Sequence, residues 1–265
     1  MSQPVLLVIA HGSRDPRHAA TVHALTQRVR AARPGLRVVT GYLDHCAPSV
    51  PQVIGRLAAE GVRDVVALPL LLTRAFHAKA DIPAVLREAT ARLPRLAGPG
   101  HRRLTVPRLT VHQADVLGPS PLLVSALERR LREAGLRPGD RRSTGIVLAS
   151  AGSTDPEAIA VIDGIAREWR HTGWRAVRPA FASAAIPAGF PRTEDAVRQL
   201  RAEGCARIAV APYVVAPGFL PDRIARGAAG ADLLADVLGD APELASLLLR
   251  RYDAALVPSR MSLSA

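Results

Sequence analysis

The chain has 265 residues, enough for two ordinary domains or one large one. Hydrophobic residues at 48% and charged residues at 22% suit a globular protein, while aromatics at 3% leave the core to Leu, Val, Ile and Ala. No apolar run approaches the roughly 18 residues that a membrane span needs, and Met1-Ser-Gln-Pro4 leads straight into a strand pattern, so a cytoplasmic location is expected. The two cysteines, Cys46 and Cys205, lack metal-type or framework spacing and read as buried thiols.

The net charge of +12 comes almost entirely from arginine, since Lys79 is the sole lysine. Such a balance suits nucleic acid, an anionic surface or an acidic small molecule. The arginines are scattered and there are few aromatics to stack bases, so nucleic-acid binding is the weakest of these readings.

Taken in order, residues 5–10 (VLLVIA) read as a strand buried on both faces, and they run directly into His11. Residues 15–33 read as a helix, with Asp15 as N-cap and Pro16 in the first turn. Val22, Leu25 and Val29 fall on its apolar stripe, whereas His18 and His23 read as solvated. A strand over 36–43 and a helix over 49–60 follow, then a strand over 65–72. The polar loop 73–83 leads to a helix over 82–93. Residues 104–111, interrupted by Pro107, read as an edge strand. A helix over 117–134 precedes a Pro/Gly/Arg-rich linker at 136–143.

The pattern then repeats. Gly-Ser-x-Asp-Pro at residues 12–16 recurs at 152–156, residues 177–183 match 38–44, and IAVAPYVV at 208–215 matches VVALPLLL at 65–72. Phe219 falls opposite Phe76. The chain is therefore read as α/β: two duplicated lobes, each a small parallel sheet flanked by helices, facing each other across a cleft. Lobe one is taken as 1–140, lobe two as 141–240, and 241–265 as a closing helix and tail.

The duplication separates scaffold from chemistry. Both copies keep the turn, the strand prolines and the phenylalanine. The polar strand-end residues differ: His11 faces Ala151, Asp44 faces Ser183, and His77 faces Leu220. Each of the three ends a different predicted strand at the carboxyl edge of one sheet, where ligand sites form. Two imidazoles and a carboxylate suit a divalent metal or proton transfer. Arg14, Arg74 and Lys79 stand beside these residues as candidate contacts for an anionic substrate, and Ser13 lies in a turn that offers backbone N–H groups. His45 reads as pointing away.

Ala10-His-Gly-Ser-Arg14, Tyr42-Leu-Asp44 and Phe76-His-Ala-Lys-Ala-Asp-Ile-Pro83, in this order and with a duplicated partner, resemble the sirohydrochlorin chelatases over roughly residues 4–230. The resemblance implies insertion of Fe²⁺ or Co²⁺ into sirohydrochlorin, in siroheme or cobalamin biosynthesis, with iron slightly favoured. It makes His11 and His77 the metal-binding and proton-accepting pair, with the metal as substrate and no permanently bound cofactor. The two-half layout resembles the long, monomeric members. The family carries Glu where Asp44 stands. The shorter side chain sets the carboxylate about 1.5 Å back, which leaves direct ligation and a water-mediated or relay role both open. A polycarboxylate tetrapyrrole gives the arginine excess a purpose in steering. A non-catalytic metal or tetrapyrrole carrier using the same cleft is the alternative.

Overall fold

Two strands, β1 (Val5–Ala10) and β5 (Thr144–Ser150), are buried along their whole length and organise the two halves of the chain. The computed structural model describes residues 3–74, 77–93, 109–183 and 189–257, the side chains of residues 77 and 78 excepted. The first half continues with α1 (Pro16–Ala32), β2 (Val38–Tyr42), α2 (Val50–Ala59), β3 (Asp64–Pro69), α3 (Ile82–Ala91), β4 (Thr110–Gln113) and α4 (Pro121–Glu133). The second continues with α5 (Pro156–Arg170), β6 (Ala176–Phe181), α6 (Thr193–Ala202), β7 (Arg207–Tyr213), α7 (Phe219–Gly227), β8 (Leu233–Leu234) and α8 (Pro242–Leu256).

Each half forms a four-stranded sheet, ordered β2-β1-β3-β4 and β6-β5-β7-β8, with every pairing parallel. Leu6, Val8 and Ala10 point to one side of β1, and Val5, Leu7 and Ile9 to the other. Both sides are covered by helices, which is why the strand is apolar throughout rather than alternating. The predicted helix starts hold. Asp15 accepts from the Arg17 N–H at 2.9 Å, and Ser49 caps α2 in a reciprocal pair with Gln52.

Three local expectations change. Residues 77–81 of the expected loop form a single wide helical turn that runs into α3. The edge strand is described at Thr110–Gln113, while positions 104–108 of the expected strand lie outside the described residues. The linker is tied down: Asp140 receives the Thr144 hydroxyl at its carbonyl, and Arg207 lies 2.7 Å from its carboxylate. The two-residue strand β8 and the helix α7, which follows the turn at Gly218, are additional to the expected elements.

The halves exchange helices. α4, from the first half, packs against β7 of the second sheet, while α8, at the end of the second half, packs against α1 and β3 of the first. One contiguous apolar cluster therefore includes Leu6, Val8 and Leu68 of the first sheet, Leu127 and Leu248 of the exchanged helices, and Leu148 and Ala211 of the second sheet. Polar ties reinforce the exchange. The Tyr252 hydroxyl donates to the Pro4 carbonyl at 2.6 Å, and Arg129 grips Glu243 at 2.6 Å. Among the described residues no helix is long and apolar enough to cross a membrane.

A core shared in this way makes the halves unfold together. Leu248→Ala is expected to cost about 2–5 kcal/mol. Urea unfolding followed by tryptophan fluorescence, which reports only the second half, is expected to coincide with that followed by far-UV circular dichroism. Two separated transitions would overturn the shared-core account.

Candidate active site at the facing sheet edges

The carboxyl ends of β1 and β2 are joined beyond the last strand pair. Leu43 N–H donates to the Ala10 carbonyl at 3.0 Å and Asp44 N–H to the His11 carbonyl at 2.9 Å. Gly12 turns the chain at φ +93°, and a Cβ there would lie 1.8 Å from the Asp44 carbonyl oxygen. Only glycine allows that approach. The Cys46 thiol then donates to the Ser13 carbonyl at 3.2 Å, and the Ser13 hydroxyl accepts the Asp15 N–H at 3.1 Å.

Lobe two builds the same edge. Ala182 N–H donates to the Ser150 carbonyl at 2.9 Å, Ser183 N–H to the Ala151 carbonyl at 2.8 Å, and Gly152 turns at φ +89°. The backbone that sets His11 beside Asp44 thus sets Ala151 beside Ser183. The two edges face each other: Ser13 Oγ lies 3.8 Å from where a Cβ on Gly218 would stand.

His11 is exposed on this edge, with Nδ1 3.4 Å from the Gly12 carbonyl oxygen. The Asp44 side chain is 64% exposed and turned along its own loop. It accepts the His45 N–H at 2.8 Å and lies 3.2 Å from His45 Nε2. The partner of Asp44 is thus the histidine that the sequence set aside. His45 stands at φ +58°, the one non-glycine residue with positive φ among the described residues. Strained backbone of this kind concentrates at functional sites. His77 opens the wide turn before α3, and its side chain lies outside the described residues. Among the described residues, no three His, Cys, Asp or Glu side chains are grouped so as to hold a metal ion.

The flanking cations are placed differently from one another. Arg14 is exposed, and Arg74 pairs with the exposed Asp115 of the same lobe. Lys79 reaches across to Asp155 and Glu157 of lobe two.

His18 was missed. Its ring is half-buried, 6.5 Å from that of Tyr42, and its Nδ1 is buried without a hydrogen-bond partner. Burial chiefly, then the neighbouring charge of His11, lowers its pKa below the usual 6.5. The signal was present, because His18, Val22, Leu25 and Val29 form one stripe at spacings of four, three and four.

A family model described as CbiX matches residues 5–134 and again 145–255, one match for each sheet with its helices. The chain belongs to the CbiX family. It is 27% identical to a sirohydrochlorin cobaltochelatase of Priestia megaterium over 222 residues, 83% of this chain but 66% of that protein. Against a sirohydrochlorin ferrochelatase of Bacillus subtilis it is 22% identical over 222 residues, 77% of that protein. The solved structure of SirB from Bacillus subtilis with Fe³⁺ superposes at a TM-score of 0.76 with 20% identity, covering 96% of this chain and 95% of that one. The fold is therefore that of SirB, and the repeated CbiX match agrees with the duplication read from the sequence.

Three outcomes test this geometry in a CbiX chain. Gly12→Ala is expected to lose at least about 3 kcal/mol in chemical denaturation, because it combines left-handed strain with a clash. Gly35→Ala, at φ +89° with nothing within 4 Å of the added Cβ, is expected to lose about 1–2 kcal/mol. In a histidine NMR titration the His18 ring is expected to show a midpoint below 6.5. With the folded pKa depressed, the unfolded chain binds more protons, so His18 makes stability fall as pH drops through 6.5. A midpoint at or above 6.5 would overturn this placement.

Proposed function

We propose that this CbiX-family protein is a sirohydrochlorin chelatase, inserting a divalent metal, Fe²⁺ or Co²⁺, into the tetrapyrrole. One observation carries the reading. The same hydrogen-bonded edge is built twice, with His11 beside Asp44 in lobe one and Ala151 beside Ser183 in lobe two, and the turn after the third strand of each copy carries His77 in lobe one but Leu220 in lobe two. A fold that needed those polar groups would have kept them in both copies.

The reaction is M²⁺ plus the free-base macrocycle giving the metallated macrocycle and two protons. The two pyrrole N–H protons must leave as the metal enters. A neutral imidazole can hold a divalent ion or accept a proton near neutral pH, but not both at one nitrogen. Two histidines in lobe one let the roles divide between His11 and His77. Asp44 offsets positive charge at the edge, and its His45 contact offers a relay for a released proton toward solvent. The metal is a substrate in transit, so a site with open positions suits the chemistry better than a closed four-ligand cage. Ser13, Arg14, Arg74 and Lys79 are assigned to the substrate's carboxylates, and the chain acts as a monomer.

His11→Ala and His77→Ala are each expected to lower metal insertion by at least about 100-fold while leaving the circular dichroism spectrum and melting midpoint near those of the parent. Ser183→Ala and Leu220→Ala are expected to stay within about threefold, roughly what one weak contact is worth. Anaerobic absorbance during incubation of sirohydrochlorin with Fe²⁺ or Co²⁺ gives the readout. Normal rates in either histidine variant would end the assignment.

A further inference from the structure

Two cations form ion pairs across the facing edges of the lobes. Lys79 Nζ lies 2.6 Å from Glu157 Oε2 and 3.0 Å from Asp155 Oδ2, and Arg17 Nη2 lies 2.7 Å from Asp222 Oδ2. The register of the repeat relates these positions. Asp15-Pro16-Arg17 aligns with Asp155-Pro156-Glu157, and the Phe76–Phe219 match makes Asp222 the counterpart of Lys79. One pair of positions therefore bridges the lobes twice, with its signs reversed. Across the lobes, lobe one supplies both cations and lobe two the anions, while Arg17 is also held within its own lobe by Asp15 at 2.5 Å.

This segregation bears on how a polyanion would enter. Lys79 lies two residues beyond His77 in the same turn, and Arg17 lies in the first turn of the helix that begins beside His11. Incoming carboxylates are attracted to the lobe with the histidines and repelled by the lobe without them. Exposed ion pairs are weak and exchange readily. Glu157 and Asp222 have side chains 78% and 46% exposed, so either acid can be released into water. Asp155, at 19%, stays engaged by accepting the Glu157 N–H at 3.0 Å as the α5 cap.

We propose that Glu157 and Asp222 hold the places of substrate carboxylates on Lys79 and Arg17, forming a clasp across the cleft that the tetrapyrrole opens by exchanging carboxylate for carboxylate. This rests on the chelatase reading above. It makes Arg17 a substrate contact, and it makes the two lobe-two acids competitors that set affinity without touching the reacting atoms.

The test is the full-length Glu157→Gln/Asp222→Asn double variant, with Asp155 left intact to preserve the helix cap. Binding of metal-free sirohydrochlorin is measured by fluorescence, and insertion kinetics are measured with Co²⁺. Kd and KM are expected to fall by about three- to tenfold at low ionic strength, the worth of one or two exposed pairs, with kcat within twofold. The gain is expected to vanish at high salt. Arg17→Gln is expected to weaken binding in the parent chain. Unchanged or weaker binding by the double variant, in a parent that binds and metallates sirohydrochlorin, would overturn the clasp alone. A parent that binds no tetrapyrrole would overturn the chelatase reading and the clasp with it.

Discussion

Burial of β1 and β5 on both faces is the constraint from which the remaining architecture follows. A parallel strand covered on both sides excludes charged side chains and confines polar ones to its ends, as with Thr144 and Ser150 of β5, so chemistry is displaced to the loops beyond its carboxyl end. Those loops must then be fixed in place without a core of their own. Backbone bonds do this, from Asp44 N–H to the His11 carbonyl and from Ser183 N–H to the Ala151 carbonyl, each beside a glycine with positive φ. The close approach of Gly12 to the Asp44 carbonyl is what brings two loops, 33 residues apart at Ser13 and Cys46, into one edge.

The second constraint is the shared core. α4 and α8 each cover the sheet of the other half, so the facing edges are held by the same apolar cluster that stabilises both sheets. Edges framed in this way are held in register by the apolar cluster and do not depend on the weak ion pairs between them. Under the proposed function those pairs are free to serve electrostatic selection, since across the lobes the cations come from the side of His11 and the anions from the opposite side.

The arginine excess divides between two uses. Arg33, Arg129, Arg141 and Arg207 pair with acids or carbonyls that tie helices and the inter-lobe turn together. Arg141 also lies 4.9 Å over the Trp174 ring. These residues serve the fold through packing and hydrogen bonding, not through the field of the whole molecule. Composition alone merged them with the arginines at the cleft, because net charge carries no position.

Much was legible in the chain itself. The duplicated α/β order, the cap at Asp15, the helix start near Ser49, and the replacement of three strand-end residues in the second copy follow from local pattern and internal comparison. Pattern reports what a residue's neighbours in sequence require of it. It could not report that Asp44 turns to His45, that the neighbour of the half-buried His18 is Tyr42, or that Lys79 meets acids 76 and 78 residues away. Nor could it show that α4 and α8 cross to the opposite sheet, since an amphipathic stripe states that a face will be buried but not against what. Side-chain partners across lobes depend on how two sheets are set relative to each other, and packing in three dimensions alone decides that.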